Sequence, residues 1–212
     1  LANVGLGRFL AEKLPLLVEG TSLIADPQVR YKGTIGGDIS HGDPGNDHPA
    51  LMLALEASFV LQGAKGERVV KADGFFLGMY STLLEPGEIL TQIRIPIPAA
   101  GSGSAYQKLK RKTGDFATAA TAVVLQMKGN TVAKVSIALT NAGATPLKAS
   151  AAEKALVGNQ INDASLNEAA RLAMSICDPA PDQRGDADYK RAMCGEMTRR
   201  ALQSAHARAA KA

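Results

Sequence analysis

The chain has 212 residues, of which 46% are hydrophobic, so it can bury a substantial core in one large domain or two small ones. Its formal net charge of +4 and pI near 9.1 are too weak by themselves to indicate nucleic-acid binding. No apolar run is long enough for a membrane span, and no stretch resembles a signal peptide. The two cysteines form no CxxC pair, so we expect a reduced, cytoplasmic protein.

The first quarter of the chain is predicted to be largely helical. Apolar residues at helical spacing over residues 6–25 predict two short helices around Pro15, the second reaching Asp26. The Gly-rich stretch 33–46 is predicted to be a loop. A strongly apolar segment follows and predicts a buried helix with Asp47 as its N-cap.

Strand patterns come next. The segments "SFVLQG" and "ERVVKA" predict a hairpin, and the alternation in "EILTQIRIPIP" predicts a further strand. Between them, "DGFFLGMYSTLL" is interpreted as a short helix. The small, flexible stretch "AAGSGSA" indicates a domain boundary, giving domains 1–100 and 101–212.

The second domain is predicted to be a three-stranded antiparallel sheet followed by a helical bundle. The strand "AYQKLKRK" precedes two apolar runs joined at Lys128-Gly129-Asn130, with "TPLKA" as an edge strand. Ser150 and Glu153 have capping-box spacing at the start of the helical part. The helices at 163–177 and 186–212 have core-like apolar spacing, and Cys177 and Cys194 are expected to be buried. The fold class is therefore α+β.

The segment "TIGGD" at residues 34–38 has three possible explanations: an ordinary tight turn, a phosphate-binding loop or part of a metal site. Glycine allows a ligand to approach backbone N–H groups closely, and consecutive N–H groups bind anions. Thr34 could add a hydroxyl contact and Asp38 could accept from a sugar hydroxyl. The spacing does not match a dinucleotide-binding G-x-G-x-x-G motif.

The nearby acids and histidines do not favour a metal site. Asp38, His41, Asp43, Asp47 and His48 have no standard metal-ligand spacing, and turn and helix-cap roles explain the aspartates. No catalytic elbow, HExxH or P-loop is present, so we assign no catalytic residue and no metal.

The basic run "KLKRK" at 108–112 also has more than one explanation. It suits a nucleic-acid patch, a solvated strand edge, or a strand that places one lysine near a flavin or phosphate. We predict no nucleic-acid partner.

Three motifs in order, "ADPQVRYKGTIGGDISHGDPGNDHPALMLALEA", "LEPGEILTQIRIP" and "YQKLKRKTGDFATAATAV", resemble the FAD-binding medium subunit of the molybdenum hydroxylases. This family includes xanthine dehydrogenase and aerobic carbon monoxide dehydrogenase, and "KLKRKTGDFATAA" is most similar to the latter branch. The resemblance implies a PCMH-type FAD-binding domain followed by the C-terminal flavoprotein domain.

The resemblance also implies the cofactor-binding residues. Five of them match the second pyrophosphate-binding loop: Thr34, Ile35, Gly36, Gly37 and Asp38. Asp47 matches an acid near the ribityl or ADP part, Leu90 an apolar neighbour of the cofactor, and Lys108 a nearby lysine. Phe116 matches an aromatic residue, often Tyr, beside the isoalloxazine ring; Phe retains stacking but has no hydroxyl.

The implied role is electron transfer from iron–sulfur clusters in a small subunit, through FAD, to an external acceptor. The molybdenum cofactor would lie in a large subunit, in a dimer of heterotrimers, in the cytoplasm or at the inner face of the membrane. Family members have an earlier Gly-Gly-x-Ser loop, which this sequence lacks, so we expect a fragment or processed product without the N-terminal lobe. The alternative is a noncatalytic assembly module that has lost FAD.

Overall fold

The computed structural model describes residues 4–210. The chain begins with five helices: α1 (Val4–Lys13), α2 (Pro15–Ser22), α3 (Pro27–Lys32), α4 (Ile35–His41) and α5 (Asp47–Ala54). Pro15 occupies the first turn of α2, where its missing N–H is not needed. The two predicted helices around Pro15 are confirmed, but the second ends at Ser22, and α3, which the sequence did not predict, begins after Asp26.

The next strands form two small sheets. Strands β1 (Ser58–Gly63), β2 (Gly66–Lys71) and β5 (Ile89–Arg94) form an antiparallel sheet in the order β2-β1-β5. Strands β3 (Phe76–Gly78) and β4 (Ser81–Thr82) form a separate hairpin. The predicted β1–β2 hairpin and the β5 strand are confirmed.

The helix predicted for residues 73–84 is wrong, because this segment contains the β3–β4 hairpin. Its chain reversal includes Tyr80, whose φ of 57° is not helical. Phe75 and Phe76 both turn towards Phe59, whose ring centroid lies 4.7 Å and 6.4 Å from theirs. Packing in this buried aromatic cluster therefore determines the local structure. The spacing of the apolar residues in the segment resembles that of a helix, which explains the wrong prediction.

A larger antiparallel sheet has the order β6-β7-β8-β9, with β6 (Ser102–Leu109), β7 (Ala119–Lys128), β8 (Thr131–Thr140) and β9 (Leu147–Lys148). Strands β7 and β8 are those predicted, whereas β6 begins at Ser102, inside the stretch predicted to be flexible, and ends at Leu109 rather than at Lys112. The two-residue β9 is the predicted edge strand and makes the sheet four-stranded. Lys128 and Thr131 pair across the β7–β8 turn, as the sequence predicted.

The chain ends with helices α6 (Ser150–Leu156), α7 (Asp163–Ser175) and α8 (Ala187–Ala209). The predicted capping box at Ser150 is wrong: Ala149 is the N-cap, and Glu153 accepts a hydrogen bond from the Ile137 N–H of β8 at 2.8 Å. The capping box in this region is formed instead by Asn162 and Ser165 at the start of α7.

The large sheet lies between two helical layers, because alternate residues of its strands point to opposite faces. Tyr106 and Ala122 on one face belong to a core shared with the N-terminal helices and β1. Ala105 and Val123 on the other face pack in a second core with α6, α7 and α8. Cys177 and Cys194 are buried in the second core, as predicted. The boundary near residue 100 stays a prediction.

Candidate functional site

The segment "TIGGD" is the start of a helix, so the loop predicted over residues 33–46 is wrong in its first half. Thr34 is the N-cap of α4, and its hydroxyl accepts a hydrogen bond from the Gly37 N–H at 3.1 Å. This bond uses one lone pair of the hydroxyl oxygen and leaves its O–H able to donate. The Ile35 and Gly36 N–H groups have no protein acceptor within residues 4–210.

The two glycines of this turn differ in their surroundings. A Cβ on Gly36 would contact only Leu90 Cδ2, at an ordinary 3.6 Å, whereas one on Gly37 would lie 3.0 Å from Thr34 Oγ1. Neither glycine has a positive φ. The chain's own backbone and packing therefore do not require glycine at position 36. Within residues 4–210, the first turn has two N–H groups without an acceptor, and such groups can bind an anion.

Asp38 follows on the same turn and is held from two sides by the segment that begins α5. Its carboxylate Oδ2 lies 2.7 Å from His48 Nδ1, and its backbone carbonyl accepts from Asn46 Nδ2 at 3.2 Å. The Asp38 side chain is 25% exposed, whereas that of His48 is 9% exposed. Asp38 is thus fixed at the edge of the site and still faces solvent.

The prediction that Asp47 is the N-cap of α5 is wrong. Asn46 is the N-cap, and Asp47 occupies the next position. The Asp47 carboxylate turns inward, where it accepts hydrogen bonds from Lys108 Nζ at 2.6 Å and from the Tyr106 hydroxyl. Burial raises the pKa of the Asp47 carboxyl, and the Lys108 ammonium and the Tyr106 hydroxyl offset part of that rise. Burial and the neighbouring Asp47 also raise the pKa of Tyr106.

Lys108 lies on an edge strand, but it is not solvated. Its side chain is only 1% exposed, and its ammonium also donates to the Leu23 carbonyl at 3.3 Å. Lys110 donates to the same carbonyl at 3.3 Å, so the two lysines share a face of the chain, as the alternation predicted. The solvated-edge explanation is therefore wrong for Lys108.

Phe116 lies on the loop after β6, and the residue is 46% exposed. A Cβ on Gly45 would lie 3.3 Å from the Phe116 ring, so the ring covers the turn that leads into α5. The Arg184 guanidinium also contacts this ring and lies 5.7 Å from its centroid. Arg184 also donates to Asp115 Oδ1 at 2.7 Å, which anchors the loop.

The predicted residues lie along one continuous set of contacts. Leu90 of β5 is next to the first turn of α4, Asp38 contacts the start of α5, and the same segment reaches Lys108 and Phe116. The sequence did not identify Tyr106 or Arg184 as neighbours of these residues, and it treated His48 only as part of a disfavoured metal cluster. The short segment between Asp38 and His48 was the available signal for their contact.

The described part of the chain has neither a metal-binding cluster nor a helix that could span a membrane. Within residues 4–210, no group of three or more His, Cys, Asp or Glu side chains is placed to hold a metal ion. Over the same range, none of the helices has both the length and the apolar character that crossing a membrane requires.

Comparison with known families divides the chain into two matches. The family described as "FAD binding domain in molybdopterin dehydrogenase" matches residues 1–98. The family described as "CO dehydrogenase flavoprotein C-terminal domain" matches residues 104–205.

Individual relatives agree with the family matches. The carbon monoxide dehydrogenase medium chain of Hydrogenophaga pseudoflava is 58% identical over 198 residues, covering 93% of this chain and 69% of the relative. That of Afipia carboxidovorans is 54% identical over 201 residues, covering 95% and 70%.

Solved structures show the same fold. A carbon monoxide dehydrogenase from Hydrogenophaga pseudoflava that lacks the Mo-pyranopterin moiety has a TM-score of 0.93 at 60% identity, covering 94% of this chain and 70% of that one. Quinoline 2-oxidoreductase from Pseudomonas putida 86 has a TM-score of 0.89 at 32% identity, covering 95% and 70%. The chain therefore belongs to the FAD-binding medium subunits of the molybdenum hydroxylases and is an oxidoreductase subunit.

Proposed function

We propose that this chain holds FAD noncovalently, with the pyrophosphate at the first turn of α4. The observation that carries the proposal is the free space at Gly36, beside N–H groups of Ile35 and Gly36 that have no acceptor in the described chain. These donors and the partial positive charge of a helix start suit a phosphate group. The residues present therefore fit the cofactor of the family.

The surrounding residues take distinct roles in this proposal. Asp38 accepts from a sugar hydroxyl, since its carboxylate is partly exposed and acts only as an acceptor when ionised. Leu90 forms an apolar wall next to Gly36. Phe116, an exposed aromatic residue, offers a surface on which the isoalloxazine stacks. Thr34 orders the turn through its cap, and its O–H can still donate to the phosphate.

Asp47 and Lys108 are predicted cofactor neighbours, and their burial against one another favours a supporting role. Their side chains are 5% and 1% exposed, so little of either is available to a ligand. We assign them to the wall behind the site, where they join the start of α5 to β6. The proposed domains, 1–100 and 101–212, are supported by family matches that end at 98 and begin again at 104.

FAD, when bound, supplies the redox chemistry, and the chain supplies binding, orientation and electrostatics. The proposed electron path runs from iron–sulfur clusters of a small partner subunit, through this subunit, to an external acceptor. A large partner subunit would carry the molybdenum cofactor, and two heterotrimers would associate. Identities of 58% and 54% to carbon monoxide dehydrogenase medium chains support that branch of the family.

The test is Gly36→Ala, measured by FAD titration of the apoprotein and by urea unfolding. Alanine has the higher helix propensity and meets only Leu90, so apoprotein stability should stay equal or rise by up to about 1 kcal/mol. The added methyl group occupies the phosphate approach, so we expect the Kd for FAD to rise at least about tenfold, which is about 1.4 kcal/mol.

Ser40→Ala is the matched control, because it lies on the same helix, away from the first turn, and should leave the Kd unchanged. An unchanged Kd in Gly36→Ala would refute the phosphate assignment. A chain that binds no FAD at saturating cofactor would instead support the noncatalytic assembly module.

A further inference from the structure

His48 is a buried histidine in the first turn of α5 with a partner on each ring nitrogen. Nδ1 lies 2.7 Å from Asp38 Oδ2, and Nε2 lies 3.3 Å from Thr21 Oγ1. The ring thereby connects α2, α4 and α5, three elements that share the N-terminal core. It lies directly behind the carboxylate that faces the candidate site.

The chemistry of the partners determines which ring nitrogen carries the proton. An ionised carboxylate can only accept, so Nδ1 must donate to Asp38. In the neutral ring Nε2 is then the acceptor, and the Thr21 hydroxyl donates to it. In the neutral ring the hydrogen bonds run in one direction, from Thr21 through His48 to Asp38. In a protonated ring both nitrogens donate, and in either case the two contacts fix the ring as well as the carboxylate.

Only one oxygen of the Asp38 side chain is used in this way. Oδ2 accepts from His48, and Oδ1 has no partner within residues 4–210. The Asn46 amide holds the Asp38 backbone carbonyl at 3.2 Å, so the residue has little freedom to turn. Oδ1 is thus presented in a defined direction at the partly exposed edge of the site.

We infer that His48 is a positioning residue for cofactor binding, acting through Asp38. It holds the Asp38 carboxylate in place before FAD binds, so that Oδ1 can accept from a hydroxyl of the ribose or ribityl part of FAD. Pre-ordering of this kind raises affinity because binding no longer has to restrict the side chain. The inference rests on the proposed function, since it needs FAD to occupy the site beside α4.

The experiment is an FAD titration of the apoprotein, followed by flavin fluorescence, for variants at His48. His48→Leu removes the donor but keeps a buried apolar group, and we expect the Kd to rise about fivefold to tenfold. His48→Asn retains an N–H donor near the position of Nδ1, so its Kd should stay within about threefold of the unmodified chain. The visible circular dichroism of the bound flavin should change in His48→Leu alone.

A double-variant cycle separates positioning through Asp38 from a general structural effect. If His48 acts through Asp38, His48→Leu should add little to the loss caused by Asp38→Asn. Additive losses, or an unchanged Kd in His48→Leu, would overturn the inference while Gly36→Ala still weakened binding. A chain that binds no FAD would overturn the proposed function and the inference together.

Discussion

Replacing Lys108 by Met tests whether the buried ion pair with Asp47 stabilises the protein independently of any cofactor. The two charged atoms are 2.6 Å apart, and their side chains are 1% and 5% exposed. Met has a similar length and no charge, so the substitution leaves little cavity. It does leave the Asp47 carboxylate buried with the Tyr106 hydroxyl as its remaining side-chain donor.

The expected loss follows from what is left behind. Removing one partner of a buried ion pair destabilises a protein by about 3–5 kcal/mol, because the remaining charge has no compensation. Asp47 can relieve part of this loss by taking up a proton, since burial already raises its pKa. We therefore expect a loss of about 3 kcal/mol near neutral pH.

The pH dependence has a definite sign. The folded-state pKa of Asp47 lies above its unfolded value and rises further in Lys108→Met. At pH values between the unfolded and the folded pKa, the folded state of the variant therefore binds more protons than its unfolded state. The free energy of unfolding of the variant therefore increases as the pH falls through the folded-state pKa. The loss relative to the unmodified chain should be largest above that pKa.

The assay is urea unfolding of the apoprotein, followed by far-ultraviolet circular dichroism. The double variant Asp47→Leu/Lys108→Met should recover much of the lost stability, since no charge is then buried. Lys154→Met, on the exposed surface of α6, is the control and should change stability by less than about 0.5 kcal/mol. A loss below about 1 kcal/mol in Lys108→Met would refute the supporting role.

Two further predictions concern the loop after β6. Phe116→Ala should lower apoprotein stability by less than about 1.5 kcal/mol, because the residue is 46% exposed. The same variant should weaken FAD binding or shift the flavin potential, whereas an unchanged affinity and potential would assign Phe116 to packing alone. Hydrogen bonds from Arg184 and Arg111 lower the pKa of Asp115 to about 2. The ionised Asp115 therefore stabilises the folded chain above its unfolded pKa, and this stabilisation is lost as the pH falls towards 2. In Asp115→Asn the free energy of unfolding should depend less on pH over that range. An unchanged pH dependence would contradict this prediction.

Elements with a strong periodic pattern were predictable because local sequence and burial agree in them. The apolar helix α5 and the strands β7 and β8 each have a pattern that matches their surroundings in the fold. The hairpin of β3 and β4 was not predictable in this way. Its aromatic residues pack against Phe59 of a preceding strand, and that contact outweighs the local pattern.

The family resemblance named individual candidate site residues but gave no information on their arrangement. The family resemblance identified Asp47 and Lys108, yet their mutual burial joins positions 61 residues apart in sequence. The ion pair of Asp115 and Arg184 joins positions 69 apart. Such contacts depend on how β6 and the helical layers pack together, and a single sequence contains no local signal for that packing.

Glycines illustrate the same limit, because whether a position requires glycine depends on its backbone angles and on its neighbours in the folded chain. A Cβ on Gly103 would lie 1.9 Å from the Ala205 carbonyl oxygen, so close packing of α8 on β6 requires glycine there. Gly42 has a φ of 67°, so the end of α4 requires glycine for its backbone. Neither reason applies to Gly36, which has a helical neighbourhood and room for a methyl group. In a helix such a glycine lowers stability relative to alanine, and the proposed approach of the FAD pyrophosphate to the backbone gives glycine a role at this position.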